Sequence, residues 1–206
     1  MENITPENAY VHLLFAFLEI QIVPQFIMLE LENRSKVEQF KRNEVVHEED
    51  QESTHAYFIV SGIMMCYQQT EDGNIVKWFR STGDYAYSMD MSKTFFGVEF
   101  KPAGNKLIAL EDLVVITIPH EDVKWLEDNS PEMKFLLHKH LTHYNQVALG
   151  RRAFEHMDPD NRYQFMQRHM NLSLERIPDV YLSSFLDISL PEVKIVRKNL
   201  STNSSN

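Results

Sequence analysis

VYLSSFLDISLPEVKIVRKNL, residues 180–200, reads as two short helices joined by a tight turn. Leu182, Phe185 and Leu186 fall at i, i+3, i+4 spacing, one apolar stripe of a helix. Ile188 marks the turn. Ser189 stands where an N-cap belongs and Glu192 follows three residues later, the pattern of a capping box. The second helix then carries Val193, Val196 and Leu200 inward and leaves Lys194, Ile195 and Lys198 outside. A helix–turn–helix of this length is suited to placing its second helix in a DNA major groove.

The rest of the chain supplies the context. With 206 residues, 43% of them hydrophobic, it has room for one large domain or two modest ones. The single cysteine, Cys66, excludes a disulfide within one chain and any cysteine-only metal centre. Its flanks, IMMCYQ, read as a strand, so a buried small side chain is expected there. The opening MENITPENAY lacks a basic segment followed by an apolar run, so no secretory signal is expected. The richest apolar stretch, 11–31, is broken by Glu19, Gln21, Pro24, Gln25 and Glu30, which argues against a membrane span. A soluble, cytoplasmic protein without membrane contact is therefore expected. The formal net charge of −10 is unevenly spread. Residues 150–206 hold eight Lys/Arg and seven Asp/Glu, so the acidity lies in the body that precedes them. DNA affinity depends on a local basic face and not on the whole-chain sum.

Along the chain, residues 5–34 read as helical, with Pro6 at a first helical position and Pro24 as a break. From 37 to 118 the pattern becomes short β-branched and aromatic runs: 44–47, 56–60, 63–68, 75–79, 106–109 and 114–118. Turn signals separate them, among them Ser61-Gly62, Asp72-Gly73 and Thr82-Gly83-Asp84. Strands this short and close predict an antiparallel sandwich, roll or barrel. Helical character returns at 121–127, and a long helix is expected over 131–157. On it Leu137, Leu141, Tyr144 and Ala148 form a heptad-like seam, read here as a dimer helix, although one apolar stripe also suits packing within a domain. Asp158-Pro159 opens a further helix through 170, and 201–206 reads as a disordered tail.

This order resembles the Crp/Fnr (catabolite activator) family of bacterial transcription regulators. His47-Glu48-Glu49-Asp50 followed by Ala56-Tyr57-Phe58-Ile59-Val60-Ser61-Gly62 resembles the first hairpin of a cyclic-nucleotide-binding domain. Thr82-Gly83-Asp84 resembles its later Pro-Gly-Asp turn, and Ala109-Leu110-Glu111-Asp112 through Ile118-Pro119 its final strands. Arg162-Tyr163, Arg176-Ile177-Pro178 and 181–189 resemble the winged-helix part of a Bacteroidetes-type branch. The resemblance implies an α+β fold. A cyclic-nucleotide-binding-like jelly roll with flanking helices would occupy 1–130, a dimerisation helix 131–157 and a winged-helix-like helix–turn–helix domain 158–200. It also implies a homodimer that binds DNA and, with it, RNA polymerase.

The chain departs from that family at two places. Nucleotide-binding members carry a Gly-Glu pair after the Gly-Asp turn and an Arg-Ser or Arg-Thr pair before the last strands. Here Asp84 is followed by YAYSMDMSK, and Ala103 and Gly104 stand where the second pair would fall. Lys101 and Lys106 lie nearby but lack the guanidinium fork. No cyclic AMP or cyclic GMP binding is therefore expected. Gly83, Asp84, Tyr85, Lys101, Ala103 and Lys106 remain the candidate pocket for an unknown small-molecule effector. In the DNA-reading half, Asp187 replaces the usual turn glycine, and Ile195 replaces the base-reading arginine. Aspartate tolerates the left-handed conformation, and isoleucine can touch a thymine methyl but cannot fork onto guanine. Ser189, Lys194, Ile195, Arg197 and Lys198 are the candidate DNA contacts, with Lys194 and Lys198 best placed for phosphates.

Nine histidines raise the question of a metal or haem, but His138, His140 and His143 offer one same-face pair only, and no metal or cofactor is expected. The carboxylates Glu48, Glu49, Asp50 and Glu52 read as a solvated loop, and Met64-Met65 and Phe95-Phe96 as core or pocket lining. No nucleophile–base pattern suggests an enzyme. The competing reading is a degenerate β-roll that binds a ligand or a protein and keeps its helix–turn–helix only for packing.

Overall fold

The computed structural model describes residues 4, 6–48, 54–71, 73–87, 105–170 and 172–203. Two helices open the chain, α1 (Pro6–Leu18) and α2 (Gln25–Arg34). Eight strands follow: β1 (Lys36–Phe40), β2 (Val45–His47), β3 (His55–Ser61), β4 (Ile63–Thr70), β5 (Gly73–Ser81), β6 (Tyr85–Tyr87), β7 (Asn105–Ala109) and β8 (Leu113–Pro119). Then come α3 (His120–Asn129), α4 (Pro131–Arg151), α5 (Pro159–His169), α6 (Asp179–Leu186) and α7 (Leu190–Asn203), with short 3₁₀ turns at Phe154–His156 and Leu174–Arg176. The predicted strands are all present. β1 and β6 are additions: β1 is a largely exposed KVEQF and β6 is three residues long, and neither carries a local pattern strong enough to read.

The strands form two four-stranded antiparallel sheets, ordered β1-β8-β3-β6 and β2-β7-β4-β5. Strand alternation sorts the side chains into three cores. Tyr57, Ile59, Met64, Cys66, Trp78, Leu107 and Val115 fill the space between the sheets. Ala56, Phe58, Ile116 and Ile118 point out of the first sheet and meet Leu13 and Phe17 of α1, Ile27 of α2 and Leu136 of α4. Ile63, Met65, Val76, Phe79 and Ile108 point out of the second sheet and meet Tyr163, Met166, Leu182, Phe185, Val193 and Val196 from the C-terminal helices. Both faces of both sheets are thus covered, which explains strands that read as continuous apolar runs. Gly62 joins β3 to β4 at φ +100°, and a Cβ there would lie 2.6 Å from the Asp112 carbonyl oxygen, so the turn requires glycine.

Helix starts follow the sequence signals. The Met133 amide donates to Ser130 Oγ at the head of α4, and the Asn161 amide to Asp158 Oδ1 at the head of α5. The long helix stops at Arg151, short of 157, because the chain turns there to bury Phe154 in the C-terminal core. Leu137 of the expected dimer seam is buried in its own protomer, under the first sheet. The side chains of Leu141, Tyr144 and Ala148 lie outside the described ones. At the other end, α7 continues to Asn203, three residues into the stretch expected to be a disordered tail.

Candidate nucleic-acid interface and effector pocket

The turn between α6 and α7 is built as its sequence suggests. Asp187 ends α6 in the left-handed region at φ 54°, ψ 51°. The Asp187 and Ile188 amides both donate to the Ser183 carbonyl oxygen, and Ser183 Oγ donates to the Ile188 carbonyl oxygen at 2.6 Å. The capping box closes in both directions. The Ser189 amide donates to Glu192 Oε2 at 2.7 Å, and the Glu192 amide reaches Ser189 Oγ at 3.4 Å. The bond from Ser189 holds the Glu192 carboxyl below the usual carboxylate range. Arg162 of α5 donates to the Leu186 and Asp187 carbonyl oxygens, placing a cation on the unpaired C-terminal end of α6.

Val193 and Val196 are fully enclosed, while Lys194, Ile195 and Lys198 stand exposed on the opposite side of α7, with Ile195 58% exposed. Ser189 is exposed at the helix start. Lys194, Ile195 and Lys198 therefore share one open face, with Ser189 apart from them at the N-cap. Arg197 does not join them. Its guanidinium turns inward, donates to the Leu174 and Ile177 carbonyl oxygens and pairs with Asp179 at 2.9 Å. It ties α7 to the preceding 3₁₀ turn, a long-range role that local spacing does not reveal.

The head sits directly on β5. Opposite β4, Cys66 faces Trp78 and Tyr67 faces Val76, so Lys77 is an extra residue, a β-bulge. Its carbonyl oxygen accepts from Arg151 at 2.7 Å. The same guanidinium donates to the Phe185 carbonyl oxygen at 2.8 Å and lies 4.4 Å from the centre of the Phe185 ring. One residue at the end of α4 thus joins the roll, the long helix and the first helix of the head. Phe79 and Phe185 meet edge to face at 4.9 Å. Ser184 Oγ accepts from the Val76 amide and donates to the Asn74 carbonyl oxygen, and Arg176 pairs with Glu111. The heptad-like seam runs on toward Arg151 but gives no sign of this joint, and nothing in the sequence pattern singles out Ser184.

The described candidate effector residues, Gly83, Asp84, Tyr85 and Lys106, have separate partners. Gly83 and Asp84 form the β5–β6 turn: the Gly83 amide donates to the Ile59 carbonyl oxygen, and Asp84 Oδ2 accepts from the Ser81 amide. Tyr85 was expected to line the pocket. Its ring instead lies outside the roll, between Phe17 of α1, Phe58 and His140 of α4, because Ala86 takes the inward position of that short strand. Lys106 pairs with Glu48 at 2.8 Å. Lys101 and Ala103 lie outside the described residues. A separate cavity of about 830 Å³ is lined by Lys36, Glu38, His47, His55, Tyr57 and Thr117 among others. His120, which interacts electrostatically with His55 and His47 of that lining, is held by burial below the ordinary histidine range. Among the described residues no group of three His, Cys, Asp or Glu side chains is arranged to hold a metal ion, and no helix is long and apolar enough to cross a membrane.

Residues 37–130 match the family model described as the cyclic nucleotide-binding domain. No curated protein sequence matches the chain. Among solved structures, FixK2 from Bradyrhizobium japonicum superposes with a TM-score of 0.65 at 16% identity, over 82% of this chain and 86% of its own. A CooA mutant from Carboxydothermus hydrogenoformans gives 0.66 at 12% identity, over 92% and 84%. The c-di-GMP responsive global regulator CLP from Xanthomonas campestris gives 0.62 at 13% identity, over 88% and 93%. A matched domain from β1 to the start of α4, joined to helices that follow these structures over most of their length, identifies a cyclic nucleotide-binding domain in a chain with the Crp/Fnr regulator fold.

Proposed function

We propose that this protein is a homodimeric, non-enzymatic transcription regulator of the cytoplasm that binds DNA through α7. The observation that carries the reading is the capped second helix, packed into the core that covers the second sheet, with Lys194, Ile195 and Lys198 on one exposed face and Ser189 exposed at its start. Lys194 and Lys198 neutralise phosphates, and Ile195 reads a base by apolar contact. In a two-fold dimer the half-sites lie one helical turn apart, roughly 34 Å. An effector acts by preferring one arrangement of the two heads over the other. That effector is not a cyclic nucleotide, for Trp78, Tyr57 and Cys66 fill the roll between its sheets and Lys106 is engaged by Glu48.

Selection from random DNA tests the reading. The expected result is a two-part site whose affinity falls steeply with salt. Lys194→Ala and Lys198→Ala each weaken binding across all sequences and lower the salt slope by about 1, while Ile195→Ala relaxes one base position. Absence of enrichment at low salt would sink the proposal and favour the degenerate interaction module, to which Ile195 and the net charge of −10 lend support. Calorimetry with cyclic AMP is expected to show no binding, and a micromolar affinity would overturn that part.

A further inference from the structure

A cavity of about 550 Å³ lies where the roll, the end of α4 and the head meet. Its charged lining is Lys77 and Arg80 of β5, Arg151 and Arg152 at the end of α4, Glu155 just after it and Asp187 at the turn of the head. Four cations to two carboxylates inverts the balance of a chain with 20 Lys/Arg and 30 Asp/Glu. Both carboxylates are exposed, Asp187 with 89% of its side chain in solvent. Two of the cations are fixed in place. Arg80 donates to the Phe79 carbonyl oxygen at 2.9 Å and lies 5.2 Å from the centre of the Trp78 ring, and Arg151 holds the Lys77 and Phe185 carbonyl oxygens. The other two take no part in the joint. Lys77 is half-buried, and neither its ammonium nor the Arg152 guanidinium forms a hydrogen bond or an ion pair among the described residues. Like charges gathered on a low-dielectric wall repel one another and together focus a field that draws in an anion.

We infer that this cavity binds a small molecule carrying two or more phosphate groups. Its volume is that of a small organic ligand and not of a single inorganic ion. The cations come from two elements, β5 and the end of α4, which suits a ligand with more than one anionic group. Three of the four are arginines, whose planar forks take phosphate oxygens two at a time. Ile75, 44% exposed, and Phe154 add an apolar wall for an uncharged part of the ligand. The cavity shares no residue with the candidate effector pocket of Gly83, Asp84, Tyr85, Lys101, Ala103 and Lys106. Because roll, α4 and head all contribute to its walls, an occupant ties the head to the roll. On the regulator reading above, that selects one arrangement of the head for DNA.

Calorimetry of the full chain with inorganic tripolyphosphate, at about 0.1 M salt, tests this. The wild type is expected to bind it at micromolar concentration and more tightly than orthophosphate. Lys77→Met/Arg152→Met should weaken binding roughly tenfold. Lys134→Met/Lys139→Met removes the same charge from exposed positions earlier on α4 and should leave the affinity unchanged. Arg152→Glu alone, at an exposed position, should weaken binding without lowering the melting temperature. Bound tripolyphosphate should also slow hydrogen exchange in β5 and α6 and leave α1 and α2 unchanged. Adenosine diphosphate that binds more tightly than inorganic pyrophosphate supports a nucleotide-type ligand, and equal affinities support a bare polyphosphate. A wild type that takes up no tripolyphosphate overturns the inference, as does binding that survives both Lys77→Met/Arg152→Met and Arg152→Glu or falls equally in the control pair. Loss of DNA affinity in Lys77→Met/Arg152→Met, with no tripolyphosphate bound by the wild type, overturns it in favour of contacts to the DNA backbone. Tripolyphosphate binding that persists in a chain selecting no DNA removes the regulator reading and leaves the site standing.

Discussion

Asp187 does at the turn what glycine does in most helix–turn–helix heads, and the difference has a measurable size. A residue with a Cβ in the left-handed region carries a cost of roughly 1 kcal/mol. The carboxylate returns little of it: its nearest cation, Arg162, is 3.6 Å away and the side chain is 89% exposed, so screening leaves the pair worth a few tenths at most. Asp187→Gly is therefore expected to stabilise the chain by about 0.5 kcal/mol and Asp187→Val to destabilise it by roughly 1–2 kcal/mol, measured by urea unfolding. A glycine variant less stable than the wild type would show that the carboxylate matters more than the backbone. The residues of this turn were legible in the sequence because their partners are local: Ser189 and Glu192 lie three positions apart, and Asp187 sits where the chain reverses. Arg197 and Tyr85 were not, because their surroundings are set by distant segments. Arg197 finds carbonyls 23 and 20 residues away. Tyr85 is turned outward by the parity of a three-residue strand that no periodicity announces.

Among the elements, β5 links the interior of the roll to the head. Trp78 points between the sheets, Phe79 points the other way onto Phe185, and the bulge at Lys77 exposes the carbonyl that Arg151 holds. Any displacement of Trp78 by a molecule inside the roll must move that carbonyl or strain the bond to it. Arg151→Met removes two charge-assisted hydrogen bonds and is expected to cost about 3 kcal/mol. Hydrogen exchange should rise in β5 and α6 and stay unchanged in α1 and α2. Uniform loosening, or no change in β5, would mean that Arg151 is not the joint. Arg151→Lys should recover part of the protection, since an ammonium can serve one carbonyl but not both in the same geometry. The sequence reading placed the strands and helices well where apolar runs or caps are strong. It carried α4 too far, to 157, because helical spacing continues past the point where Phe154 must turn into the core. A bulge leaves no signature in spacing at all.

For the whole molecule, the decisive feature is that the second sheet and the C-terminal helices share one core. Ile63, Met65, Val76 and Phe79 of the roll are covered by Phe185, Leu182, Val193 and their neighbours, so neither part can bury its apolar surface alone. The division into sensor and head that the sequence suggests is thus one of connectivity more than of energy. A head held this way acts as an extension of the roll, and a reorientation signal must pass through the shared core, not through a loose linker. Phe185→Ala tests the point, because it removes the side chain that touches Phe79, Arg151 and the core of the head together. The expected cost is roughly 3–5 kcal/mol, with roll and head melting in one lowered transition. Calorimetry of the wild type should likewise show a single peak. Two peaks in the wild type, or a variant in which the β-roll keeps its melting temperature while the head unfolds early, would show that the head is only perched on the roll and moves independently of it.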